Sequence, residues 1–299
     1  MISNPPKVLA VLGPTASGKS ALAVTLARRF NGEIISADSR QVYKGLNIGT
    51  GKITKKEMLG VPHHLLDVAS PKRRFSVIEY QNLARQKIGE VLSKGRLPIL
   101  VGGTGFYIEA VVDGIILPDV PPNKQLRAKL KIKPVKTLLE MLAKLDPVRA
   151  TTIDQKNPRR IIRAIEIATI LGAVPPITKS SPYNTLPIGL TLPPEELQKR
   201  IATRLHARLK MGMIAEAKNL HINGLSWKRM NELGLEYRYL AFHLQGKITG
   251  GEMVTKLQTE IWRYAKRQMT WFKRDKRIKW FKPTEKVKIQ KEMHRFLSK

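Results

Sequence analysis

Gly13-Pro14-Thr15-Ala16-Ser17-Gly18-Lys19-Ser20 fills every specified position of the pattern G-x-x-x-x-G-K-[ST]. The chemistry that spacing serves is the holding of a phosphate. A tight turn aims successive backbone N–H groups at the anion, and the helix that follows adds the positive end of its dipole. Lys19 supplies a full charge, and the Ser20 hydroxyl is a ligand for Mg²⁺. Nucleotides and other diphosphates present similar oxygens, so the pattern leaves the phosphate compound open. A second reactive group, the Asp38 carboxylate, follows a short apolar run and so falls beside this turn. There it could accept a proton, cap a helix, or hold a water of the magnesium ion. Val101-Gly102-Gly103-Thr104-Gly105 carries no acid where a nucleotide hydrolase would hold magnesium, which argues against phosphoryl transfer, although small-molecule kinases also dispense with that acid.

The elements that must position these groups are legible around them. Lys7–Leu12 (KVLAVL) is a short apolar run closed by Gly-Pro, the signature of a buried parallel strand. Residues 20–30 favour helix, 33–36 and 97–101 read as further strands, and 77–92 as the helix between them. Strand and helix alternating at this spacing predict a doubly wound α/β core. Near Pro118 the chain turns proline-rich and basic and leads into helical patterns at Val135–Leu145 and residues 159–171, ended by Gly172 and Pro175. Residues 188–192 then read as a strand returning to the sheet, and Pro194 opens a helix over 195–211. We therefore expect a core built from residues 1–117 and 186–299, interrupted by a helical insertion over 118–185.

Fifty-four basic against 23 acidic residues leave a net charge of +31 over 299 residues, a field suited to polyanions, with nucleic acid the leading partner. With 42% hydrophobic residues the chain can still bury a core, so a disordered basic tail is excluded as a description of the whole. Residues 261–299 concentrate fourteen Lys or Arg against three acids, interleaved with Trp262, Tyr264, Trp271, Phe272, Trp280 and Phe281. Cations neutralise phosphates and aromatic faces stack on unpaired bases, which suits a splayed RNA loop; the aromatics could equally be core, the reading preferred for Trp271 and Trp280. The absence of cysteine removes disulfides, thiolate zinc sites and cysteine nucleophiles. His63 and His64 lack carboxylate or cysteine partners at metal-ligand spacing. The apolar start of the chain is too short for a signal-peptide core, and no run approaches the ~18 residues of a membrane span, so a soluble, cytoplasmic protein is expected.

Five motifs carry a resemblance. Ile35-Ser36-Ala37-Asp38-Ser39-Arg40-Gln41-Val42-Tyr43, Ile48-Gly49-Thr50-Gly51-Lys52, Pro62-His63-His64-Leu65-Leu66-Asp67, Val101 to Tyr107 and Ala265-Lys266-Arg267-Gln268-Met269-Thr270-Trp271-Phe272 stand in this order across nearly the whole chain. Together with the phosphate turn they resemble the tRNA dimethylallyltransferase family, in its bacterial form. The resemblance implies a P-loop NTPase-like α/β core, a parallel sheet flanked by helices, with a smaller helical insertion that contacts tRNA. It implies transfer of the five-carbon group of dimethylallyl diphosphate to N6 of the adenosine just 3′ of the anticodon, in tRNAs reading codons that begin with U, by a monomer using Mg²⁺. On this reading Asp38 is the general base and Thr104 assists. Residues Gly13 to Ser20 hold the diphosphate together with at least one of Arg200 and Arg204, and Asp38, Ser39, Arg40, Gln41, Thr104, Arg127, Arg159, Arg160 and Arg163 meet the anticodon stem-loop. Plain structural roles stay open beside these: a turn for Thr104, and a solvated basic face for the paired arginines and for Arg159, Arg160 and Arg163.

The stretch between Leu117 and Leu138 is shorter than that family usually shows, and Glu232 to Arg238 follows its pattern loosely. The rival readings are a transferase acting on a free adenine nucleotide, a kinase, and a noncatalytic RNA-binding protein.

Overall fold

The computed structural model describes residues 5–299, which cluster into two compact units, one of them residues 115–180 and the other the remainder. The strands are β1 (Lys7–Leu12), β2 (Gly32–Ser36), β3 (His63–His64), β4 (Leu97–Gly102), β5 (Ile115–Ile116), β6 (Thr178–Lys179), β7 (Asn184–Leu190) and β8 (Lys279–Phe281). The helices are α1 (Lys19–Arg29), α2 (Lys55–Met58), α3 (Val77–Ser93), α4 (Gly105–Val112), α5 (Lys124–Lys131), α6 (Val135–Leu145), α7 (Pro147–Thr152), α8 (Pro158–Leu171), α9 (Pro194–Lys210), α10 (Met213–Ile222), α11 (Trp227–Leu233), α12 (Leu235–Leu244), α13 (Gly250–Phe272) and α14 (Lys286–Leu297).

The larger unit is built on a six-stranded sheet of order β3-β2-β4-β1-β7-β8, parallel throughout. Strand side chains alternate between faces, so Val8, Ala10 and Leu12 of β1 join one core with α3 and α4, while Leu9 and Val11 join another with α1 and α14. This is why β1 reads as a continuous apolar run: both its faces are covered. A third core holds no residue of the sheet's strands, gathering α9 to α13 around Leu205, Met230, Tyr237, Leu240 and Leu257, with Val42, Tyr43 and Leu46 from the segment after β2. β1 lies between β4 and β7, so the side to which the chain adds strands reverses beside its carboxyl end and opens the crevice where α/β sheets bind ligands.

The smaller unit is helical, as expected, with α5 to α8 packed around Leu138, Leu142, Ile161 and Ile165. It runs 115–180 rather than 118–185, because antiparallel pairing of Ile115 and Ile116 with Lys179 and Thr178 closes its ends. The elements expected from the sequence appear within one or two residues of their limits, except that β7 begins at Asn184, four residues before the expected strand; β3, β5, β6, β8, α2, α4, α5, α7 and α10 to α14 had no counterpart among them. Among the described residues no helix is long and apolar enough to cross a membrane.

Candidate active site

The phosphate turn joins β1 to α1 as its pattern requires. Gly13 sits at φ +139, and a Cβ there would lie 2.6 Å from the Leu190 carbonyl oxygen of neighbouring β7, so only glycine fits. Gly18, at φ +94, starts α1 without a side-chain cap, and no acid stands in the first turn, which leaves the helix's first N–H groups to an anion. Ser17 is fully buried, and its Oγ has no hydrogen-bond partner. Lys19 Nζ donates to Pro14 O at 2.6 Å. Burial pushes the Lys19 ammonium down to about 7; the Arg204 charge pushes the same way, and Asp38 opposes. A cation made costly in this way gains most when a diphosphate supplies negative charge beside it.

Arg200 and Arg204, the two arginines of α9 singled out from the sequence, have different surroundings in the structure. Arg204 aims its guanidinium at the loop after β2, close enough that a Cβ on Gly51 would lie 2.8 Å from its Nη2, and its charge acts on Lys19. Arg200, one turn earlier, donates to Glu196 at 2.8 Å. The Gly51 loop is itself pinned by residues that sequence reasoning missed. The Glu216 carboxylate accepts from the N–H groups of Asn47, Ile48 and Gly49 at 3.0, 2.7 and 2.9 Å and from the Tyr237 hydroxyl at 2.7 Å. Arg208 Nη1 donates to Gly49 O at 2.7 Å and to Glu236 at 3.2 Å.

Asp38 follows β2. Its Oδ1 accepts from the N–H of Arg40 at 2.8 Å and of Gln41 at 3.3 Å, so one oxygen caps the turn. The adjacent Ser39 N–H donates to Thr104 Oγ1 at 3.0 Å, and Thr104 N–H donates to Ala37 O at 3.2 Å. The ends of β2 and β4 are thereby knitted into one surface carrying Asp38, Ser39, Arg40, Gln41 and Thr104, all half-buried. Thr104 thus has the structural role left open for it, within reach of the candidate base. The hydroxyl of Tyr264, on α13, is pushed up by burial and by the Asp38 charge. Ser20, Ser36, Gln41 and His63 line a small cavity with Ala23, Ile34, Ile53, Leu66 and Val101. His63 Nδ1 bonds Val61 O at 2.8 Å and His64 Nε2 bonds buried Glu33 at 2.6 Å; among the described residues no three His, Asp or Glu side chains gather as for a metal.

Of the aromatics on α13, Trp262, Tyr264 and Trp271 are half-buried and carry cations: Lys266 lies 5.6 Å from the Trp262 ring, Arg267 6.0 Å from Tyr264 and Arg274 4.0 Å from Trp271, whereas Phe272 is buried in the core. Trp271 and Trp280 pack partly against the core shared by α3 and α4.

In the smaller unit, Glu166 is fully buried and organises two of the four arginines singled out there. Arg127 donates to it through Nε and Nη2 at 2.9 and 2.6 Å, and Arg163 through Nη1 at 2.6 Å. Burial works to raise the Glu166 pKa, but these bonds and one from Asn123 N–H outweigh it and hold the carboxyl below its usual range. Arg163 also donates to Val120 O at 2.8 Å. Arg159 is exposed, and Arg160, also exposed, stands 3.6 Å from Asp154. Arg127 and Arg163 therefore already carry a structural duty, whereas Arg159 and Arg160 point to solvent.

A phosphate turn at the switch point of a parallel sheet, with a carboxylate and a threonine at the neighbouring strand ends, defines an α/β enzyme core of the P-loop type acting on a phosphorylated ligand. The chain belongs to the IPP transferase family, whose model matches residues 41–275. It is similar to tRNA dimethylallyltransferase 1 of Syntrophus aciditrophicus, 44% identical over 277 residues that make up 90% of each chain. It is also similar to the tRNA dimethylallyltransferase of Halalkalibacterium halodurans, 42% identical over 280 residues, 89% of this chain and 88% of that one. The solved tRNA isopentenylpyrophosphate transferase of Bacillus halodurans superposes with a TM-score of 0.75 at 39% identity, covering 98% of this chain and 97% of that chain. A eukaryotic dimethylallyltransferase acting on tRNA superposes with a TM-score of 0.75 at 26% identity, over 89% of this chain and 69% of that one.

Proposed function

We propose that this chain transfers the dimethylallyl group of dimethylallyl diphosphate to N6 of the adenosine 3′ of the anticodon, in tRNAs reading codons that begin with U. The observation that carries the proposal is the phosphate turn opening α1 with neither a side-chain cap nor an acid in its first turn, beside a strand-end surface on which Asp38 caps its own turn and Thr104 holds the next residue, Ser39. In the reaction the donor's C1–O bond breaks, a C1–N6 bond forms, and diphosphate leaves. An exocyclic amine is a weak nucleophile whose proton must go elsewhere, and Asp38 is the acceptor. With Oδ1 engaged by the turn, Oδ2 takes the proton. The developing charge on the leaving oxygens meets Lys19, Arg204 and the first N–H groups of α1.

Ser20, first-turn on α1, and the orphaned Ser17 hydroxyl beside it fit a magnesium–diphosphate ligand, since Mg²⁺ is commonly held by one or two protein groups plus phosphate oxygens. Bound there, the ion would neutralise diphosphate charge. Ser39, Arg40 and Gln41 face the acceptor base beside Asp38. Arg159 and Arg160 offer exposed cations to the tRNA backbone, Arg160 from beside Asp154, Arg127 and Arg163 present theirs from the Glu166 cluster, and the α13 cations add to that field. The reading includes a monomer that acts on tRNA in the cytoplasm.

An adenine stacked in the anticodon loop cannot bring N6 to the end of a sheet crevice, so it is flipped out, at a cost of a few kcal/mol offset by phosphate contacts a mononucleotide lacks. The test compares, by mass spectrometry with labelled donor, AMP, an anticodon stem-loop and the same stem-loop without the target adenosine. Efficient modification of the intact stem-loop alone is expected; comparable turnover of AMP would favour the free-nucleotide transferase.

A further inference from the structure

We infer that Gln268 is a positioning residue that sets the spacing between the donor and acceptor halves of the site; this rests on the transferase reading above. Gln268 lies on α13, almost fully buried, and bridges two segments far apart in the chain. Its Oε1 accepts from Thr15 N–H, in the phosphate turn, at 2.8 Å. Its Nε2 donates to Gly103 O, immediately before Thr104, at 2.8 Å. One planar amide thus ties the loop that holds the diphosphate to the turn that carries Thr104 and, through Ser39, the Asp38 segment.

The side chain must be an amide for this. Thr15 N–H needs an acceptor, and Gly103 O needs a donor, and a glutamine offers both in one rigid plane. A carboxylate in its place would face Gly103 O with an oxygen, and a methionine would satisfy neither group. Gly103 is shaped to the contact: a Cβ there would overlap Gln268 Nε2, whereas the nearest atom of another residue, Gly13 O, would be 3.8 Å away. Trp271 shares this face of α13 at helical spacing and lies against Gly105, so the helix meets the turn on both sides of Thr104.

Transfer requires the donor carbon and the acceptor nitrogen to approach to about 3–3.5 Å in line, and a misplacement of ~1 Å can cost about 10²-fold. A loosened bridge should therefore slow the chemical step without weakening either substrate's binding. The experiment measures kcat, KM for each substrate, and melting temperature for Gln268→Glu, Gln268→Met, Gln268→Ala, Gly103→Ala and the Gly103→Ala/Gln268→Ala double variant. Expected are kcat losses of roughly 10–100-fold in the single variants, with both KM values near wild type. The double variant should be no slower than Gln268→Ala, because the added methyl then meets open space. Wild-type kcat in Gln268→Met, or single losses that simply multiply in the double variant, would overturn the assignment. Exchange of the Thr15 amide, followed by NMR, reads the bridge without turnover. It should be slow in wild type and faster in Gln268→Met, and equal rates would also overturn it. If the wild-type protein itself transfers nothing to tRNA, the proposed function falls, while the amide exchange still decides the bridge.

Discussion

Removing Arg204 should weaken the donor by an amount that depends on pH, and the dependence follows from its neighbour. A charge-assisted hydrogen bond contributes about 1.5–3 kcal/mol, so Arg204→Ala should cost roughly 10- to 150-fold in affinity for dimethylallyl diphosphate. That full loss should appear near pH 6, where Lys19, with a pKa of about 7, is already protonated in wild type. Above pH 7 the wild-type lysine loses its proton, partly because Arg204 pushes its pKa down. The variant's Lys19 is relieved of that push and holds its proton to higher pH. Each unit by which its pKa rises recovers up to about tenfold of cradle charge at pH 8.5. The ratio of variant to wild-type dissociation constants should therefore shrink from pH 6 to pH 8.5, and the donor's own ionisation cancels in that ratio. Arg200→Ala is the control: its partner is Glu196 at helical i,i+4 spacing, an exposed pair contributing about 0.5 kcal/mol or less. Isothermal titration with dimethylallyl diphosphate at pH 6, 7 and 8.5 supplies all three ratios. Equal losses from Arg200→Ala and Arg204→Ala, or an Arg204→Ala ratio that stays constant with pH, would refute the reasoning.

Asp38→Asn keeps an Oδ1 to cap Arg40 and Gln41, so the turn should survive while turnover falls by about 10²–10⁴-fold and tRNA affinity stays put; a matching loss of tRNA binding would make Asp38 a binding residue. Glu166→Ala leaves two arginines of the smaller unit unpaired, and urea unfolding should register a loss of about 3–5 kcal/mol, with hydrogen exchange rising within residues 115–180. Because the folded Glu166 pKa lies below its ordinary 4.5, its stabilisation is present above that pH and should vanish as pH falls further, so a wild-type and Glu166→Gln difference that persisted at the acid end would contradict the ion pairing. Arg159→Glu should lower the slope of log K against log salt for tRNA by about 0.7–0.9 for each phosphate that the variant no longer neutralises, and an unchanged slope removes Arg159 from the interface.

What could be read along the chain was whatever a local pattern compels. The phosphate turn was legible because backbone geometry at Gly13 and helix polarity after Gly18 admit few residues, and β1 because burial on both faces leaves no polar position. The choice between Arg200 and Arg204 was not legible, since both lie on one helix and only the packing of the Gly51 loop against α9 distinguishes them. The edge strand β8 has three residues and the pair β5–β6 two each, too few to show a period, which also explains the misplaced ends of the insertion. Glu216 and Gln268 expose the deeper reason. In sequence the first is one charge in an ordinary helix, and the second, although it stands in one of the motifs that carry the resemblance, shows no local pattern that says what its amide touches. Their partners lie more than 160 residues away, at Asn47 to Gly49 for Glu216 and at Thr15 and Gly103 for Gln268. A side chain that ties one loop to another is specified by the meeting of elements, not by its own neighbours, so the candidate base can be picked out from a local pattern, whereas what Glu216 and Gln268 join emerges only from the fold.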